Sequence, residues 1–190
     1  MNTPAHLIFG VAAFGDPMLR RTTLAAVLGA LAPDLSLYIM AGVSLVILQI
    51  PPDVVFGELY FSDAWQTVFA VDNSVFVWGT LLGLAIWRRS ATLVAFAGAA
   101  LLHIALDFPL HHDDGRPHFW PLTSWVFESP FSYWDRRQGA GLIAPLEGVI
   151  SAALLVVIWR RYTSWVQRAL WTSVLGLELW VIRGWFTFVF

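Results

Sequence analysis

Long apolar runs separated by short polar breaks fill the chain. They cover roughly 5–15, 22–50 ("TTLAAVLGALAPDLSLYIMAGVSLVILQI"), 74–87, 91–110, 142–159 and 165–190. A helix needs about 20 residues to cross a bilayer. The first and third runs fall short of that, which leaves them tilted, re-entrant or packed inside a bundle. The pattern predicts an all-α, polytopic integral membrane helical bundle with five or six membrane helices. It forms a single domain over 1–190, with outer loops at 51–73 and 111–141. No internal repeat or low-complexity linker interrupts it.

Composition supports the membrane class. Hydrophobic residues make up 58% of the 190 and charged residues 13%, about half the charged share of a soluble domain. A soluble domain of this size has too little interior to hide that much apolar surface. The net charge of −2 includes no basic patch, so no nucleic-acid partner is expected. Cysteine is absent, which excludes disulfides, thiolate nucleophiles and cysteine-zinc sites. Any metal must be held by nitrogen and oxygen. The start "MNTPAHLIFGVAAF" lacks the basic region of a signal peptide and is expected to stay in the mature protein.

Arginine pairs punctuate the runs: Arg20-Arg21, Arg88-Arg89 and Arg160-Arg161. Basic loops stay cytoplasmic. With all three pairs inside, the N-terminus and the 51–73 and 111–141 loops lie outside. Arg116, Arg136 and Arg137 in the second of these loops count against that orientation. The expected location is the bacterial inner membrane.

Five ionisable residues sit within the apolar runs: His6, Asp34, His103, Asp107 and Glu147. Each costs about 2.5–3.5 kcal/mol at mid-membrane on insertion scales, so five together need a shared purpose. Asp34 lies thirteen residues from Arg21, and His103 and Asp107 lie fourteen and eighteen from Arg89. At 1.5 Å rise per residue all five fall in the outer half of the membrane and can meet in one layer. His103 and Asp107, spaced i, i+4, share a helix face. Beyond a helix end near Pro109, "PLHHDD" adds His111, His112, Asp113 and Asp114, and "GRPHFW" adds His118. Imidazoles mixed with carboxylates suit zinc first, and manganese or iron as alternatives. One to three ions are expected.

Each residue also has a structural reading. His6 can be a packing histidine, and His103 with Asp107 an internal hydrogen bond. "HHDD" can be a solvated loop. His118 can cap a turn, Asp34 a helix restarting after Pro33, and Glu147 a helix start. The aromatic stretch "HFWPLTSWVFESPFSYWD" reads as an interfacial belt or as a floor for a lipid-like substrate.

In order, "MNTPAH", "GALAPD", "HIALD" and "APLE" resemble the motifs of the membrane-bound metal-dependent hydrolases, the inner-membrane type that includes a LexA-regulated bacterial protein. That family is distantly similar to zinc-dependent phospholipase C and the zinc single-strand nucleases, which are all-helical enzymes with clustered ions. The resemblance implies that His6, Asp34, His103, Asp107 and one or more of His111, His112 and His118 are metal ligands, with Glu147 as a late carboxylate. Two positions depart from the pattern. Ser36 stands where many relatives carry a second aspartate, and Asp72-Asn73-Ser74 stands for a T-H-S element, with asparagine a poorer ligand than histidine.

Three function classes follow. The first is a hydrolase at the outer face of the membrane, acting on a phosphoester or lipid-like substrate, with Asp107 or Asp34 handling the water proton. The second is a non-catalytic subunit of a larger membrane complex, with a structural metal or polar site. The third is a transporter, disfavoured by the single depth of the polar layer.

Overall fold

The computed structural model describes residues 1–187. Its regular elements are α1 (Thr3–Phe14), α2 (Arg20–Gly42), α3 (Pro52–Val54), α4 (Asp63–Asp72), α5 (Val75–Trp87), α6 (Ala91–Asp107), α7 (Ala140–Arg161) and α8 (Trp165–Thr187). A π turn at Val43–Ile47 prolongs α2, and another at Val55–Leu59 follows α3. No strand occurs among the described residues.

Among the described residues, three helical stretches are long and apolar enough to cross a membrane: Arg20–Ile47, Asp63–Trp87 and Ala140–Arg161. The α1 and α6 helices, at 12 and 17 residues, are apolar but shorter. The α8 helix has the length but carries Arg168, Glu178 and Arg183.

The third apolar run gains its length from a neighbour. Residues 51–73, expected as a loop, are mostly helical. Pro52 opens α3, and the Ser62 hydroxyl caps α4 by accepting from the Trp65 N–H. Phe69 and Ala70 give α4 a buried face. Asn73 ends α4, and the Ser74 hydroxyl starts α5 by accepting from the Phe76 and Val77 N–H groups. Side-chain oxygens thus satisfy the free donors of both helix starts.

The shortest apolar run lies at the centre. The α1 helix packs on α2, α6, α7 and α8, and Ile8 and Val11 are fully buried. The α2 and α6 helices meet through small residues: Ala25, Ala26 and Ala30 on one side, Ala95 and Ala99 on the other. A Cβ on Gly29 would run into the Phe96 carbonyl oxygen, and one on Gly10 would stand 2.7 Å from the Ala30 Cβ. Such contacts let backbones approach closely where water supplies no drive to associate. Leu28, Ile39, Val46, Leu142, Val149, Val156 and Trp180 face outward and exposed. An apolar rim of this extent is rare on a water-soluble monomer.

One end of the bundle is closed by arginine. Arg161 donates to the Ala12 carbonyl at 2.7 Å and to that of Gly15. The Tyr162 and Thr23 hydroxyls are 2.8 Å apart, and those of Thr22 and Thr92 3.5 Å. These contacts gather the end of α1, the starts of α2 and α6 and the end of α7, so Arg20-Arg21, Arg88-Arg89 and Arg160-Arg161 share that end, while Arg136-Arg137 precedes α7 at the other. The N-terminus, the end of α6 and the start of α7 lie at the other.

Candidate metal centre

The i, i+4 spacing in α6 does what helix geometry requires. His103 and Asp107 are both buried and turn to the same side, with His103 Nε2 3.2 Å from an Asp107 oxygen. The α1 helix delivers His6, whose Nε2 is 2.9 Å from the other Asp107 oxygen. The two imidazoles stack at 3.6 Å between ring centres, 9° from parallel. The α2 helix delivers Asp34, 3.7 Å from His103 Nε2. The chain's terminal amine also contacts Asp107.

His6, His103 and Asp107 each offer a ligand atom within 4.8 Å of the other two, so this group could hold a metal ion. The protonation pattern of His103 supports that fit. Its Nδ1 donates to the Ala30 carbonyl at 2.7 Å, which in the neutral ring leaves the lone pair on Nε2. That nitrogen is buried without a hydrogen-bond partner and faces carboxylate oxygens. The facing carboxylates call for a cation at Nε2, which a proton or a metal ion supplies, and a backbone carbonyl on the far nitrogen is one of the usual ways to orient a metal-binding histidine. His6 lacks such support, as its Nδ1 is buried and unpartnered.

Asp34 does not begin a helix. It lies within α2, which continues through Pro33, and it accepts from the Thr3 hydroxyl at 2.8 Å. Glu147 does not begin one either, as it lies inside α7 and is buried. It accepts from the Asn2 N–H at 2.7 Å.

The "HHDD" quartet divides. His111 Nε2 is 3.4 Å from Asp107, and its Nδ1 is 3.0 Å from Asp114. Burial pulls the His111 imidazole down, but Asp107 and Asp114 outweigh it and hold it at about 9. Asp114 is below its usual range despite burial, because His111 and the Trp134 N–H bond to it. His112 turns away and its Nδ1 meets the Ser129 carbonyl at 2.6 Å. His118 meets the Asn73 carbonyl at 3.0 Å and ties the 108–139 segment to the α4–α5 junction. Burial lowers its basicity. Neither belongs to the His6–His103–Asp107 group. Asn73, at the T-H-S position, donates to the Pro33 carbonyl at 3.2 Å and so ties that junction to α2.

Sequence reasoning misses Glu178. This fully buried residue of α8 accepts from the Asn2 side chain at 3.0 Å. Trp185 donates to the same asparagine at 2.9 Å. Glu147 and Glu178 interact, and each keeps one buried oxygen without a partner. The available signal was a lone carboxylate within the final apolar run, a placement that is costly by default.

Asp34, Asp107, His111, Asp114 and Arg116 line a cavity of about 610 Å³. Its remaining wall includes Leu37, Tyr38, Phe56, Tyr133 and Trp185. Two of the aromatic stretch's residues, Tyr133 and Trp134, therefore face this cavity. Comparison with family models, with curated proteins and with solved structures finds no match for this chain.

Proposed function

We propose that the chain is a metal-dependent hydrolase embedded in the bacterial inner membrane, acting on a phosphoester at the outer face. The observation that carries this reading is the buried His6–His103–Asp107 group beside a cavity large enough for a small ligand. Zinc suits its nitrogen-rich donor set best. Three of the four arginine pairs gather at the opposite end and only Arg136-Arg137 lies at the cavity end, and that excess supports an outward-facing cavity, by the cytoplasmic preference of basic ends. In this reading α1 and α6 join the three longer stretches in a five-helix membrane bundle, and α8 makes it six.

A bound divalent ion would polarise the phosphoryl oxygen and acidify water. His6, His103 and Asp107 would hold it. Asp107 is already engaged by His6 and His111, so Asp34 at the cavity wall takes the proton of the attacking water. The water oxygen bonds to phosphorus, the ester P–O bond breaks, and the proton passes to the leaving alkoxide.

Metal analysis of detergent-purified wild type, Asp107→Ala and His103→Ala, joined to hydrolysis of bis(p-nitrophenyl) phosphate, tests the reading. Bound metal and activity lost together in both variants support it. Folded wild type that binds no metal overturns it.

A further inference from the structure

Arg116 has no place in the chemistry above, yet it is among the least expected residues to find buried. It is 6% exposed, and arginine is rarely buried unless paired. Its guanidinium lies 4.1 Å from the Phe69 ring centre and 5.7 Å from that of Tyr60. Those rings hold it in position. No ion pair to it forms among the described residues. Its Nη1 is buried without a hydrogen-bond partner. A desolvated, unpaired donor is costly to keep, so an incoming acceptor is favoured at this position. Arg116 lines the same cavity as Asp34 and Asp107 and interacts electrostatically with both.

The rest of the lining narrows the ligand. Leu37, Phe56, Phe61, Val181 and Trp185 present apolar surface to the cavity. A planar guanidinium fork matches phosphate oxygens, and the apolar wall matches hydrocarbon. We infer that Arg116 binds the phosphate group of an amphiphile whose hydrocarbon chain lies along this wall. The inference rests on the hydrolase reading, because Asp34, Asp107, Asp113 and Asp114 line the cavity too and a bound cation offsets their repulsion of an anion.

Calorimetric titration of zinc-loaded protein in a neutral maltoside detergent tests it, with metal content measured on every sample. The probes are dodecyl phosphate, inorganic phosphate and dodecanol. Dodecyl phosphate is expected to bind wild type at least about tenfold more tightly than either of the others. Arg116→Gln is expected to weaken it about tenfold while keeping its zinc, with Arg116→Lys in between, as loss of a charge-assisted bond predicts. Equal binding of inorganic phosphate overturns the amphiphile, and equal binding of dodecanol overturns the phosphate site. Zinc bound, with affinity unchanged in Arg116→Gln, overturns the role of Arg116 and leaves the metal reading standing. No zinc bound and no dodecyl phosphate bound removes both. The three-probe comparison on wild type stands even where a variant does not fold.

Discussion

Two buried polar groups lie side by side at one end of this bundle, and they are built differently. Around Asp107 the carboxylate is surrounded by imidazoles: His6 at 2.9 Å, His103 at 3.2 Å and His111 at 3.4 Å. Around Glu147 and Glu178 the partners are amides, from the backbone and side chain of Asn2. The first group sets imidazole nitrogens against a carboxylate and could hold a metal ion. The second offers oxygen only, and two carboxylates in one dry site repel if both are charged. The lesson is that buried charge alone does not make a metal site. The identity and tautomer of the neighbours do, and here the Ala30 carbonyl sets the tautomer of His103.

Substitutions can break or sharpen this contrast. The largest effect is expected from Asp107→Ala, which removes the carboxylate of the proposed metal group and leaves His6 and His111 facing a void. Metal affinity should fall by more than about a hundredfold, beyond the range seen for outer partners of a ligand. Equilibrium dialysis measures it, and wild-type affinity would show that the group is only a polar latch. His103→Ala should also lose the metal, and the buried space left behind should cost about 2 kcal/mol or more of stability. Chemical denaturation in detergent reads the second quantity, and a full metal complement would remove His103 from the ligand set.

A smaller effect of opposite sign is expected from Glu178→Gln. The amide keeps an oxygen acceptor for Asn2 and removes one of two facing carboxylates. The thermal midpoint should rise by about 2–4 °C with metal content unchanged. A fall in metal content would join the two groups into one centre. The smallest effect belongs to His112→Ala. Its contact is the Ser129 carbonyl at the edge of the cavity segment, so metal content should stay at the wild-type level. Loss of metal there would mean that the 108–139 segment rearranges around the ion.

Much of this was legible along the chain. The i, i+4 pair His103 and Asp107 announces a shared helix face wherever α6 sits. His6 and Asp34 stand out because ionisable residues are costly in apolar runs. Glu147 stands out for the same reason, but its partner does not follow from that. Glu178 sits 31 residues later in the sequence, and only the packing of α7 on α8 brings the two together. The "HHDD" quartet shows the limit of local reading. Four adjacent polar residues look equivalent, yet His111 reaches Asp107 while His112 meets a backbone carbonyl, because the turn after α6 aims neighbours in different directions. Run length misled at both ends. The 12-residue α1 is the central helix, and Asp63–Trp87 exceeds its apolar run because α4 leads into α5.

The sequence by itself determined the all-helical class, the stretches apolar enough to cross a membrane and the shared level of His6, Asp34, His103, Asp107 and Glu147 along the bundle, since these depend on hydropathy and on rise per residue. Tertiary structure alone decided which of those residues touch. Contact between helices depends on their rotation and closest approach, here set by Gly29 against the Phe96 backbone and Gly10 against Ala30. No spacing along one helix encodes its facing on the next. Through that packing, His6 is stacked on His103 and Glu147 is set beside Glu178. The 108–139 segment, folded back over the same end, brings Arg116 to the cavity wall.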